Sequence, residues 1–264
     1  MRQFPFRDMI RREWIEHADD ETGQVRELLQ FYGVASSESW DDWNRIATTS
    51  CRESQAFEGE HKSVSAWLRE GERRALNLPC ELYNRQKFKA ALYEIRPLSR
   101  ESPCEFLPRM EQLCSNAGVA LVLVSQLPKT RVSGATRWLS PTKALLQLSL
   151  RFKTDDHFWF SFYHEAVHIL FHSKKAVFLE NANMSGDEET EADSFASNFL
   201  IPEKEYVDFI QTMHFNRLNI EEFADTLGIA PGIVVGRLQH DRLIPFNRCN
   251  ILKQRLEWVT ERSS

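Results

Sequence analysis

The stretch that decides the reading is Thr154–His172, TDDHFWFSFYHEAVHILFH. Thr154, Asp155 and Asp156 can each cap a helix N-terminus, where acidic groups suit the positive end of the helix dipole. The residues that follow, Phe158, Phe160, Phe162, Ile169 and Leu170 among them, are apolar nearly all round, so the helix is predicted to be buried. Inside it, His164-Glu165-Ala166-Val167-His168 fits the pattern H-E-x-x-H. Residues four apart on a helix lie about 40° apart around the axis and about 6 Å apart along it. Two imidazoles at that spacing can converge on one zinc ion. Glu165 then sits on the adjoining arc, beside the ion's open position, where it can act as catalytic base. Two histidines and a glutamate in an otherwise apolar helix would be costly without a purpose. The metal site is therefore favoured over a pair of core histidines.

A zinc site of this kind needs a third protein ligand. The extended motif with a third histidine is absent, because Lys174 stands at that position. His172 continues the spacing of four, but a straight helix carries it about 6 Å beyond His168, so it is expected near the site or at the surface. The following segment, Glu188-Glu189-Thr190-Glu191-Ala192-Asp193, offers carboxylates. Glu189 and Asp193 share a helix face. Glu189 is the expected third ligand, and Asp193 is expected to accept a hydrogen bond from a ligand histidine and fix its tautomer. Glu191 is the rival ligand. The small Ala192 would let this helix approach the first closely.

Outward from this pair, the pattern changes twice. Val119 to Ser125 is β-branched and apolar, a buried strand. Arg131 to Leu139 is more polar, contains Gly134 and reads as a weaker strand, at an edge or as a hairpin arm. Ala144 to Phe152 alternates and reads as a half-buried strand. Upstream, residues 1–117 read as mainly helical, with Gly33 as a C-terminal cap and Thr48 to Lys62 as a linker. Downstream, a polar loop is expected over Asn181 to Asp187, a helix from Pro202, and two short helices broken near Gly228. The expected organisation is a helical region over 1–104, an α+β core over 105–215 and a helical appendage over 216–264.

Composition bounds the setting. The chain has 264 residues, 42% hydrophobic and 27% charged, which is globular composition. Its net charge of −5 argues against broad nucleic-acid binding. The apolar run Val119 to Val124 is far shorter than the roughly 18 residues of a membrane span, and MRQFPFRDMIRREW is no signal peptide. Five cysteines without a CxxC pair (Cys51, Cys80, Cys104, Cys114, Cys249) read as reduced thiols. A cytoplasmic location is expected.

HFWFSFYHEAVHILFH followed by ETEADSFASNFLIP resembles the ImmA/IrrE family of metallopeptidase-like proteins. IEEFADTLGIAPGIVVGRLQHDRLIP resembles the tail of the subgroup otherwise fused to HigA/Xre-type helix-turn-helix antitoxins. The resemblance implies a gluzincin-like zinc metallopeptidase core: a small three-stranded sheet, the HExxH helix and a glutamate helix. It implies zinc, with manganese as the alternative, on His164, His168 and a following glutamate, with Glu165 as general base. It implies cleavage of an Xre-type repressor, or action on a toxin encoded nearby. The alternative is a non-cleaving module that sequesters such a partner. The chain shows no helix-turn-helix before FPFRDMIRREW, so direct DNA binding is not expected.

Lesser features remain. Phe223 to Leu238 has helix-turn-helix-like spacing, read as a packing appendage. Pro128 to Trp138, with Lys129, Arg131 and Arg137, is either a sheet edge that a substrate strand can join or an edge guarded by basic residues. Trp14, Trp40, Trp43 and Trp67 are expected in an N-terminal core. Tyr163, Tyr206 and His214 are candidates for stabilising an oxyanion.

Overall fold

The computed structural model describes residues 4–41, 61–172, 178–179 and 187–258. The expected linker at 48–62 (save its last two residues), the loop at 181–187 (save its last residue), Trp43 and Cys51 lie outside the described residues.

Helices come first: α1 (Phe6–Arg11), α2 (Glu21–Tyr32), α3 (His61–Asn77), α4 (Arg85–Ile95) and α5 (Pro103–Ser115). Local chemistry fixes their ends. The Asn84 side chain accepts from Lys87 N–H at 3.0 Å and opens α4. Ser102 and Glu105 form a capping box at the start of α5. Three strands follow, β1 (Val119–Leu123), β2 (Gly134–Ser140) and β3 (Lys143–Leu148). Then come α6 (Asp155–Phe171), the two-residue β4 (Phe178–Leu179), α7 (Asp187–Leu200), α8 (Glu203–Ile210), α9 (Arg217–Leu227) and α10 (Pro231–His240). Gly228 closes α9 in the left-handed conformation, φ 67°, which a residue with a Cβ adopts at a cost.

The sheet is mixed, in the order β1-β3-β2-β4. β1 runs parallel to β3, with Leu121 opposite Leu146. β2 runs antiparallel to β3, with Thr136 opposite Leu146. On its other side β2 pairs with β4 at Ala135 and Thr136. The edge expected at β2 is therefore covered there by chain returning after α6, which the sequence of β2 alone does not reveal.

Both faces of the sheet are buried. Leu121, Ala144, Leu146 and Leu148 face one core with Phe88, Leu92 and Ile95 of α4, Phe106 and Met110 of α5, and Phe158, Trp159 and Phe162 of α6. Ala120, Val122 and Leu145 face a second core with Trp14, Leu28, Phe31, Tyr32, Trp67 and Leu68. The faces of β3 follow the alternation read from the sequence, but the strand is buried on both. The helices of residues 6–77 cover the face expected to meet water. Gln147 on that face is fully buried and its amide nitrogen donates to the Trp67 carbonyl at 2.8 Å, which offsets part of the cost of burying an amide there.

The C-terminal helices belong to the first core. Ile233, Val234, Val235 and Leu238 of α10 pack into the same cluster as α6. Among the described residues no helix is long and apolar enough to cross a membrane.

Candidate metal centre

Helix α6 is buried over nearly its whole length, and His164, Glu165 and His168 are 2%, 0% and 1% exposed. Helix α7 lies against it through Ala192, Ala196 and Leu200, spaced four apart and all buried. The two alanines keep the helices close enough for short carboxylates on α7 to reach the imidazoles of α6.

The structure brings His164, His168 and Glu189 together. Their ligand atoms all lie within 4.8 Å of one another, the metal-capable group found among the described residues. The Nε2 atoms of the two histidines are 3.2 Å apart. The Glu189 carboxylate lies 3.2 Å from His164 Nε2 and 3.4 Å from His168 Nε2. Four ligands about 2.0–2.1 Å from a tetrahedral zinc ion stand roughly 3.3–3.4 Å apart, so the donor separations fit such an ion. Glu189 Oε1 is buried with no hydrogen-bond donor among the described residues, a deficit that a cation between the three groups would remove.

The surrounding contacts set the tautomers. His164 Nδ1 lies 2.9 Å from Asp193 Oδ1. A carboxylate there holds the proton on Nδ1 and leaves Nε2 as a lone pair facing the other donors. His168 Nδ1 lies 2.7 Å from His172 Nδ1, and His172 Nε2 lies 3.3 Å from Glu191 Oε2. With Nδ1–H on His168 donating to His172, and Nε2–H on His172 donating to Glu191, every hydrogen bond in this chain is satisfied. Burial first, and then the neighbouring His164 and His172, push His168 down to about 2. Its imidazole is thus held neutral, the form that binds metal.

Each expected site residue therefore has a definite place. Glu189 stands with the two histidines. Asp193 is bonded to His164. Glu191, the rival ligand, reaches His172 at the margin. His172 is the C-terminal cap of α6, with φ −98° and ψ 173°. Leaving the helix there turns its ring back toward His168, so it is nearer the ligands than a straight helix would carry it.

Glu165 faces β2. A Cβ added at Gly134 would lie 2.6 Å from both Glu165 Cγ and Oε1. Thr136 Oγ1 donates to the Glu165 carbonyl at 3.2 Å. Gly134 and Thr136 are thus site residues that the sequence reading missed. The glycine inside a strand pattern is the available signal, since it marks a close approach to the strand backbone. Of the oxyanion candidates, Tyr163 donates to the Leu92 carbonyl at 3.0 Å in the core, and Tyr206 donates to Asp241 Oδ2 at 2.7 Å. Both hydroxyls are engaged away from the three donors, and His214 lies between α8 and α9.

Fold and site together describe an α+β chain carrying a metallopeptidase-type His-Glu-His helix faced by a glutamate helix. Residues 121–239 match the peptidase M78 family model, described as the IrrE N-terminal-like domain. The matched span runs from β1 into α10 and contains every residue of the candidate site. Over that span the chain is similar to metallopeptidases of the IrrE/ImmA kind, and its His164, His168 and Glu189 group could hold a divalent metal. No curated protein matches the chain.

Proposed function

We propose that the chain is a zinc-dependent endopeptidase acting on a protein partner, an Xre-type repressor of phage, mobile-element or stress genes. The observation that carries this reading is the triangle of His164, His168 and Glu189, with the buried Glu165 between the two histidines on the same helix. Zinc bound there supplies a Lewis acid and lowers the pKa of water at the site. Glu165 takes the proton of the attacking water on its carboxylate and returns it to the nitrogen of the leaving amine. The absence of a side chain at Gly134 gives the Glu165 carboxylate its room against β2, and Thr136 ties the Glu165 main-chain carbonyl to the same strand. Asp193 and His172 keep Nδ1 of the two ligand histidines protonated and Nε2 free to coordinate.

The test is co-incubation of the full chain with a neighbouring Xre-type protein, with and without chelator, read by intact mass. Two fragments whose masses sum to the partner plus one water are expected, and chelator and Glu165→Gln should each abolish them. A stoichiometric complex without fragments, formed equally by the Glu165→Gln variant, would replace this reading with sequestration.

A further inference from the structure

A pocket lies at the other end of α6. An open pocket of about 860 Å³ is enclosed between residues 152–157 and the segment from Gly236 to Arg255. That volume is of the size that takes a small molecule. Its floor is a buried polar network. Lys253 Nζ bonds Asp156 Oδ2 at 2.6 Å and Gln239 Oε1 at 2.8 Å, and Gln239 Nε2 bonds Asn250 Oδ1 at 2.8 Å. The lining carries four fixed cations, Lys153, Arg242, Lys253 and Arg255, against the single carboxylate of Asp156. Lys253 is engaged by Asp156, and Arg255 pairs with Glu257 at 3.0 Å. Lys153 and Arg242 make no ion pair among the described residues. Both hold left-handed backbone, φ 55° and 59°. Conformations of that kind in non-glycine residues cost energy and cluster at ligand clamps. Two aromatic features complete the lining: Phe246, 73% exposed and open to a planar ligand, and Phe152, whose ring is engaged by His157 at 4.1 Å and by the Arg151 guanidinium at 4.8 Å. The helix start itself is not the attraction, because the Asp156 amide already donates to Asp155 Oδ1 and the Asp155 amide to the Gln254 carbonyl.

We propose that this pocket binds a nucleoside monophosphate, the phosphate held by Lys153 and Arg242 and the base packed on the exposed aromatic lining. Unneutralised cations beside exposed aromatic rings suit an anion with a planar ring, and the closed floor and volume suit a single nucleotide rather than a strand. Asp156 lies eight residues before His164, about 12 Å along the helix, so the site is separate from the candidate metal centre. Monophosphates are also the appropriate probes, because they compete weakly for metal.

The experiment titrates the full chain at fixed ionic strength with the four ribonucleoside monophosphates, following unfolding temperature and equilibrium dialysis. Inorganic phosphate, free nucleosides and a short single-stranded DNA serve as the comparison arms. At least one monophosphate should bind saturably and raise the unfolding temperature, with phosphate or nucleoside alone at least about tenfold weaker. The exposed-residue variants Lys153→Glu and Arg242→Glu should each weaken binding about tenfold or more. Phe246→Ala should weaken it without affecting phosphate, and Glu165→Gln should leave it unchanged. Absence of saturable binding by all four, equal binding of inorganic phosphate, tighter binding of the DNA strand, or unaltered binding by the charge-reversed variants would each overturn the proposal.

Discussion

The two ends of α6 bury groups that water would rather keep, and they do so by opposite means. At its start, Asp155 and Asp156 are 1% and 6% exposed. Protein groups account for most of this: Lys253 pairs with Asp156 Oδ2, and two glycines four apart on α10 make room, while Asp156 Oδ1 is left with no donor among the described residues. A Cβ at Gly232 would lie 2.4 Å from the Asp155 carboxylate oxygens, and one at Gly236 would lie 2.7 Å from Asp156. Burial, and then the Asp156 carboxylate, push Asp155 up to about 7, so protonation absorbs part of what remains. Further along, His164, His168 and Glu189 turn lone pairs toward a common point, an arrangement that a cation completes. The first end is a packed joint between α6 and α10; the second is the candidate metal site.

Four substitutions can break or sharpen that contrast. The largest effect is expected from Glu165→Gln, which should retain metal and lower peptide hydrolysis by about 100- to 10,000-fold, measured as turnover on the partner protein. Full turnover in that variant would remove Glu165 from the chemistry. Asp193→Ala should weaken metal binding by about 10- to 100-fold, read by competition with a chromophoric chelator, while the unfolding temperature of the metal-free chain changes little. At the other end of the helix, Gly232→Ala should destabilise the chain by about 1–3 kcal/mol in denaturant titration and leave metal affinity untouched. If metal affinity falls with it, the two ends are coupled and the contrast weakens.

The smallest effect is a pH signature. The folded state holds the Asp155 proton up to about 7, whereas the ordinary value is 3.8. Between those values the unfolded chain releases that proton first, so wild-type stability falls as pH rises through the window. Asp155→Asn removes the titration. Its stability relative to wild type should grow from about pH 4 to about pH 7 and then level off. Parallel unfolding curves for the two proteins would show that Asp155 does not titrate in the folded state.

Much of this could be read from the residues, because the signals were local. Helix period and spacing of four put His164, Glu165 and His168 on one buried helix, and the same spacing on α7 linked Glu189 to Asp193. Gly33 as a C-terminal cap and the break near Gly228 marked helix ends. What escaped depended on chain brought from elsewhere. The alternation in β3 gave its two faces but not their burial, because the covering helices of residues 6–77 lie far away in sequence. The edge of β2 disappears under two residues that follow α6. His172 turned toward His168 because the helix ends there, which a straight-helix projection cannot include. Gly134 looked like a weakness in a strand; it is the space into which the Glu165 side chain fits. Asp155 and Asp156 read as helix caps, and only the glycines of α10, some 80 residues on, explain how they can be buried.

The proposed chemistry requires that the three donors of α6 and α7 hold one ion. Native mass spectrometry of the chain loaded with zinc, as wild type, Glu165→Gln and Glu189→Ala, tests this most directly. One divalent ion per chain is predicted for the first two and none for the third after identical dialysis. An ion retained by Glu189→Ala at wild-type affinity, or none taken up by the wild type, would contradict it.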